Sequence, residues 1–336
     1  MLHAPRFMLN EFREDLVSGE WVLFATGRAR RPGEENKRKR LSQSEENCPF
    51  ENLEESGNEV VATYPNEAGT DWIAKVIKNK FPAVMEGEDG NIRQIGPFKA
   101  LKGTGLHEVL VLRDHKRDFY DFSGEEVAEI FRIYQKCYLA TLDSGSRKYT
   151  LIFHNHGAQA GATIQHPHSQ IISIPILPPD VKRSVDGSEN FYRKHGRKIY
   201  DMMLEWEIGE KKRIVYENEN FVVFCPFVSK AEYEVRIFSR EGHAHFEKMP
   251  EELFTDLGDA FNAAFKKIGK ALDKPDYNFF IHTSPINYSR AHEFYSWHIE
   301  ILPKVASVGA FELASGMEIN VVDPDEAAKL FRETEI

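Results

Sequence analysis

The chain has 336 residues, a length that allows two domains or one large one, either with an ample core. Its 41% hydrophobic and 29% charged content is that of an ordinary globular protein, and a net charge of -10 argues against wholesale nucleic-acid binding. No apolar run approaches bilayer length, the opening MLHAPRFMLNEFRED lacks a signal-peptide core, and Cys48, Cys137 and Cys225 are scattered and odd in number, so a cytoplasmic protein without a disulfide framework is expected.

The first elements read as a strand pair, Phe12 to Leu16 and Glu20 to Thr26, turning at Ser18-Gly19. Arg28, Arg30 and Arg31 follow, bracketed by glycine and proline in a way that could hold them toward a ligand. The basic run Lys37 to Arg40 reads as a solvated loop. Asn47-Cys48-Pro49-Phe50-Glu51 is a short knuckle-like turn. Trp72 to Lys78 is strand-like and leads to Asn79-Lys-Phe-Pro-Ala-Val, an acidic turn spans Glu86 to Gly90, and His107 to Leu112 is a further strand. Helical spacing runs from Ser123 to Asp143, with Ser123 as N-cap and Glu126 three residues on, a capping box.

After a strand at Tyr149 to Phe153 comes the stretch in which chemistry is concentrated, Asn155-His-Gly-Ala-Gln-Ala-Gly-Ala-Thr-Ile-Gln-His166-Pro-His168-Ser-Gln170. On an extended strand His166, His168 and Gln170 share one face. Pro167 favours an edge strand or the first residues of a strand. The small residues before it let backbone amides approach an anion such as a phosphate. A tight turn entering a core strand, with two incidental histidines, is the alternative reading.

Val181 to Lys212 reads as a long charged helical crossover. The second half then repeats the first: Tyr233 to Phe238 parallels His107 to Leu112, Met249 to Leu272 parallels the first helix, Tyr277 to His282 parallels Tyr149 to His154, and Trp297-His298-Ile-Glu300 parallels Pro167-His168-Ser-Gln170. The offset stays at about 126 to 130 residues throughout. Two domain-sized copies follow, 1–180 and 181–336, each a strand, helix, strand, strand unit, of which only the first carries HxHxQ.

Taken together, GRARRP, CPF, NKFPAV, HEV followed by DH, FHNHGAQAGATIQHPHSQ and WHIEILP followed by GAFELASGMEINVVDPDEAAKLF resemble the galactose-1-phosphate uridylyltransferase family of the histidine-triad superfamily over most of the chain. The resemblance implies an α+β class, a duplicated histidine-triad-like fold whose two copies each have a largely antiparallel sheet and flanking helices. It makes His168 the nucleophile, forming a nucleotidyl-histidine, with its other ring nitrogen fixed by a backbone carbonyl, and Gln170 a donor to a phosphate oxygen. Asn155, Gly161 and Thr163 match phosphate-lining positions, Arg28 and Arg31 phosphate-binding arginines, Asn79 the nucleoside contact, and Phe311 and Glu312 positions near the sugar hydroxyls.

Relatives place zinc on two cysteines of CPFC, a histidine of the DH turn and the first histidine of HPH; here the set is Cys48, Glu51, His115 and His166, with glutamate for the second cysteine. A second metal on His282, His298 and Glu300 is not expected, since Glu300 replaces a histidine. His154, His156, His243, His245 and His292 read as surface or loop residues. The leading reading is uridylyl transfer from UDP-glucose to galactose 1-phosphate. The alternative is an ADP-sugar or dinucleoside-polyphosphate phosphorylase, toward which Ser169 leans. A non-catalytic nucleotide- or metal-binding protein on the same fold is a third possibility. Relatives imply small-molecule partners, a nucleotide sugar and a sugar phosphate, and a homodimer with sites near the subunit interface, without nucleic acid or membrane.

Overall fold

A computed structural model describes residues 9–30, 45–66, 68–87, 90–142 and 147–336. Arg31, the run Lys37 to Arg40 and part of the turn Glu86 to Gly90 lie outside them. Fifteen strands are described. In the first half they are β1 (Asn10–Glu14), β2 (Trp21–Ala25), β3 (Val60–Pro65), β4 (Trp72–Lys78), β5 (Arg93–Ile95), β6 (Phe98–Ala100), β7 (Leu106–Leu112), β8 (Tyr149–His156) and β9 (His168–Ile174). In the second they are β10 (Ile214–Glu217), β11 (Phe221–Phe224), β12 (Val235–Ser239), β13 (Tyr277–His282), β14 (His298–Pro303) and β15 (Ile319–Asn320). The helices are α1 (Gly124–Leu142), α2 (Pro179–His195), α3 (Ile199–Glu210), α4 (Phe254–Leu272), α5 (Ala310–Ser315) and α6 (Pro324–Glu333).

Ten strands form one antiparallel sheet in the order β10-β11-β12-β14-β13-β8-β9-β7-β4-β3. The order is symmetric about its middle: the two copies meet where β8 pairs with β13, Tyr277 opposite His156 and Ile281 opposite Ile152. The duplicated α+β architecture is therefore realised as two five-stranded halves sharing one sheet. β9 ends at Ile174 and α2 begins at Pro179, so the expected boundary at 180 falls inside the first turn of α2. Each half adds one long helix, α1 and α4, both of 19 residues and beginning 130 residues apart. The two helices pack on each other so closely that a Cβ on Gly258 would lie 2.2 Å from Gly124 O and 2.8 Å from Ala128 Cβ. Ala128 and Gly258 are equivalent positions of the two copies, so the helix crossing lies on the repeat axis.

Alternation explains the layers. Ala74, Val76, Leu110, Leu112, Ile152, Ile171, Val235, Ile237, Phe279, Ile281, Ile299 and Ile301 face α1, α4 and α6 and form the main core. Each fully buried aliphatic or aromatic side chain there contributes roughly 1.5–3 kcal/mol. The opposite face is covered in two patches: Cys48, Phe50 and Leu53 lie over Ile77, Val109 and Val111 in the first half, and α2 and α3 lie over Val222, Phe224 and Phe238 in the second. The capping box at α1 is present, Ser123 N donating to Glu126 Oε2 (2.8 Å) and Glu126 N to Ser123 Oγ (3.2 Å). The long crossover is two helices, broken where Gly196 adopts φ 69°. A small sheet β1-β2-β15 lies apart from the main one, anchored on the second half by Asn320 Nδ2, which donates to Ser229 O and Ala231 O. Cys48, Cys137 and Cys225 are free and buried, and no helix among the described residues is long and apolar enough to cross a membrane.

Candidate active site

Pro167 stands just outside β9, where its carbonyl accepts from Leu112 N (3.1 Å) and its missing N–H costs the ladder nothing. The strand it introduces is a central one, between β8 and β7, with its first residue at His168. His168 and Gln170 thus share a strand face, whereas His166 precedes the strand and turns toward the Cys48 knuckle.

The His168 side chain is 9% exposed and touches Phe50 edge-on, ring centroids 5.1 Å apart. Its Nδ1 lies 2.8 Å from His166 O, an acceptor, so Nδ1 carries the hydrogen and Nε2 keeps its lone pair. Burial holds its pKa below the ordinary imidazole value, a shift opposed by that carbonyl. The ring therefore keeps a lone pair on Nε2 alone.

Gln170 is oriented by a residue that the sequence reading treated only as part of a strand. His107 Nδ1 accepts from Ala83 N (3.0 Å), a backbone donor that cannot act otherwise, so Nε2 bears the ring hydrogen and gives it to Gln170 Oε1 at 2.9 Å. The Gln170 NH2 is left facing outward. Asn79 joins the same cluster: its N donates to His107 O (3.1 Å) and its Oδ1 accepts from Phe81 N (2.9 Å). Asn79 Nδ2, 3.0 Å from His107 Nε2, faces an N–H there, which leaves its hydrogens for a ligand. Beside it Phe81 is 90% exposed. His107 lies two residues before Val109, which pairs with Gln170 across β7 and β9, a neighbourhood that no local pattern in the sequence signals.

On the other side of His168, Asn155 is the penultimate residue of β8 and the turn Gly157 to Ala162 folds back with positive φ at Gly157 (83°) and Gly161 (85°), the latter left-handed. Gly161 and Thr163 are exposed, and nothing lies within 4 Å of where a Cβ on Gly161 would sit, so a ligand can approach the backbone there. Behind the strand Ser169, fully buried, hydrogen-bonds with Tyr134 Oη (2.6 Å) and His154 Nδ1 (2.9 Å). Ser169 therefore faces the helices, away from His168. His154 is buried rather than superficial, as is His245, and burial drives the His154 pKa well below normal. Histidine carries no burial signal of its own, but His154 alternates with Ile152 on the core face.

Four donor groups converge beside His168. His115 Nδ1 lies 3.1 Å from His166 Nδ1 and 3.1 Å from Glu51 Oε1, His166 Nδ1 lies 3.3 Å from Glu51 Oε1, and Cys48 Sγ lies 3.7 Å from His166 Nδ1. His166 Nε2 donates to Leu112 O (2.6 Å), which leaves Nδ1 as the lone-pair nitrogen, and Glu51 Oε1 is buried with no hydrogen-bond donor. Edges of about 3.3 Å among Glu51, His115 and His166 are those around a zinc-sized ion, and the ligand atoms of Cys48, His115 and His166 all lie within 4.8 Å of one another. The residues present fit a metal. In the second half the ligand atoms of His282, His298 and Glu300 also lie within 4.8 Å of one another, but Arg236 Nη2 stands 3.2 Å from Glu300 Oε1 and already balances that carboxylate.

Arg28 is exposed on the 3-10 turn after β2, and Phe311 and Glu312 lie on α5, next to β15. No hydrogen bond, ion pair or ring contact among the described residues joins these three to His168, Gln170 or Asn155. Glu312 Oε2 instead accepts from Gly309 N (3.0 Å) and caps its own helix.

The family model described as galactose-1-phosphate uridyl transferase, N-terminal domain, matches residues 6–178. An ADP-glucose phosphorylase of Arabidopsis thaliana is 29% identical over 97% of this chain and 93% of its own length. A galactose-1-phosphate uridylyltransferase of Thermotoga maritima is 25% identical over 97% of this chain and 99% of its own. Among solved structures, an Arabidopsis thaliana ADP-glucose phosphorylase with bound ADP-glucose superposes with a TM-score of 0.83 at 27% identity, over 98% of this chain and 100% of that one. Sequence, sheet topology and site agree, and the chain belongs to the galactose-1-phosphate uridylyltransferase family of nucleotidyltransferases.

Proposed function

We propose that the protein transfers a nucleotidyl group by double displacement through His168, from a nucleoside-diphosphate sugar to a phosphate acceptor. The observation that carries this is the pairing of a neutral His168, its lone pair fixed on Nε2, with the outward-facing amide of Gln170. In the first step Nε2 attacks the α-phosphorus. The N–P bond forms as the bond to the bridging oxygen breaks, and the sugar 1-phosphate leaves. In the second, an acceptor phosphate oxygen attacks the same phosphorus and His168 departs neutral on Nε2. The Gln170 and Asn155 amides and the backbone around Gly161 donate to the non-bridging oxygens, whose charge grows in each transition state.

For the donor, the likeness to ADP-glucose phosphorylase favours an ADP-sugar with inorganic phosphate as acceptor, since that relative exceeds the uridylyltransferase in identity, 29% against 25%. UDP-glucose with galactose 1-phosphate is the second reading, supported by the family model. Cys48, Glu51, His115 and His166 would hold a zinc ion, which supplies a brace for the segment entering β9. The separation of Arg28, Phe311 and Glu312 from His168 within one chain fits a homodimer in which they serve the partner's site.

The test is to incubate the protein separately with ADP-glucose, UDP-glucose and a diadenosine polyphosphate, and to read intact mass. An AMP or UMP adduct that is absent in His168→Ala is expected, and the donor that labels identifies the nucleotide. No adduct with any donor overturns the enzymatic reading and leaves nucleotide or metal binding on this fold.

A further inference from the structure

The seam between the halves reaches the phosphate turn. Asn155 and Asn278 are opposite each other where β8 pairs with β13, so their side chains emerge side by side. Asn278 Nδ2 donates to Asn155 Oδ1 (2.7 Å) and to Ala160 O (2.9 Å). A backbone carbonyl only accepts, so the Asn278 group between the two is its NH2, with both hydrogens used, and Asn155 must present its oxygen to it. The Asn155 NH2 is thereby turned away from the seam. Two residues earlier, Asp276 Oδ2 accepts from Gln159 N (2.8 Å), and Gly157 lies so close that a Cβ there would be 2.0 Å from Asp276 Cγ. Asp276 is held in turn by Lys304 N, which donates to its carbonyl (2.7 Å).

We propose that Asn278, from the half without the nucleophile, is a positioning residue for nucleotidyl transfer: it fixes the rotational sense of the Asn155 amide and clamps the turn to Ala160, so that a donor rather than an acceptor meets the substrate phosphate. This rests on the reading that phosphates lie against Asn155 and Gln170. The reason is electrostatic. A carboxamide presents a donor or, rotated by half a turn, an acceptor, and only a bonded neighbour distinguishes the two before substrate arrives. Isolated β8 offers no such neighbour.

The test compares wild type, Asn278→Ala, Asn278→Asp and Asn155→Ala, with the two Asn278 substitutions repeated in the Asn155→Ala background. It uses the full-length protein and whichever nucleotide sugar labels wild-type His168. A carboxylate at 278 cannot donate to Asn155 Oδ1 and draws the Asn155 NH2 toward itself, so single-turnover labelling at saturating donor should fall about 100-fold in Asn278→Asp and about 10-fold in Asn278→Ala. In the Asn155→Ala background the further loss from Asn278→Asp should shrink to about twofold, because its target is gone. A merely structural role would leave the loss intact there. Labelling of Asn278→Asp within about threefold of wild type, or an undiminished loss without Asn155, overturns the proposal. Absence of labelling in wild type is a separate result that concerns the reaction itself. The clamp is then decided by amide hydrogen exchange: faster exchange at Gln159 to Ala162 in Asn278→Ala supports it, and unchanged exchange overturns it.

Discussion

His168 Nδ1 donates to the carbonyl oxygen of His166 at 2.8 Å, so the residue proposed to bind metal and the residue proposed to attack phosphorus, two positions apart, are coupled through one backbone group. Whatever fixes His166 also fixes the carbonyl that sets the tautomer of His168.

That coupling predicts how metal loss acts. Full-length protein should carry about one zinc per chain, and His166→Ala should carry none while melting several degrees lower. Glu51→Cys should retain zinc against a chelator that strips wild type, because thiolate is the softer ligand. Elemental analysis with and without chelator checks both; stoichiometric zinc in His166→Ala would refute the site.

His107 should act through Gln170. In His107→Phe the Gln170 amide loses the donor that holds its oxygen, and labelling of His168 at saturating donor should slow roughly 10- to 100-fold, with a smaller change in the donor concentration needed for half-saturation. An equal effect in Gln170→Ala and in the double variant would confirm that the two act as one unit.

Acid should destabilise the second half through His298, which is buried against Phe238 with ring centroids 4.5 Å apart. Burial lowers its pKa to about 4 from an ordinary 6.5. The unfolded chain takes up a proton below about 6.5 that the folded chain refuses until about 4, so the stability is present above pH 6.5 and is lost as pH falls through this window. The loss amounts to about 3 kcal/mol at most. His154 shifts in the same direction. Melting curves for His298→Gln should be flatter than wild type between those two pH values.

Gly157→Ala should cost about 2–3 kcal/mol, from φ 83° and from a Cβ 2.0 Å from Asp276 Cγ. Adding Asp276→Ala should restore only the steric part. Denaturant titration of the two variants separates the contributions, and full recovery would show that backbone conformation contributes nothing.

Much of the fold was legible where local rules apply. The Ser123 and Glu126 capping box and β4 from Trp72 to Lys78 are encoded within short windows, and the repeat shows as a constant offset between the two halves. β11 does not stand out in the sequence because Phe221–Phe224 is buried on both faces and shows no alternation, and β3 does not because it turns Val61 and Pro65 outward, which hides its alternation. In the site, strand alternation puts His168 and Gln170 on one face, whereas the set Cys48, Glu51, His115 and His166 comes from the family resemblance. His107 and Asn278 come from neither, since each acts across strand neighbours that only the sheet order brings together. Phe311 and Glu312 come from the resemblance alone, and the chain puts them on α5, next to β15 and, among the described residues, without a hydrogen bond, ion pair or ring contact to His168.

The pairing of β8 with β13 bears on how the protein can be divided. Cutting the chain near 180 would bare the backbone N–H and C=O groups along the edge of β8, together with the α1 surface that receives Gly258. Such an edge is a template for another strand. A fragment ending there would carry His168, Gln170 and the Cys48, Glu51, His115 and His166 cluster, yet should recruit foreign strands or a second copy of itself. The second half thus serves as the permanent cover of the β8 edge.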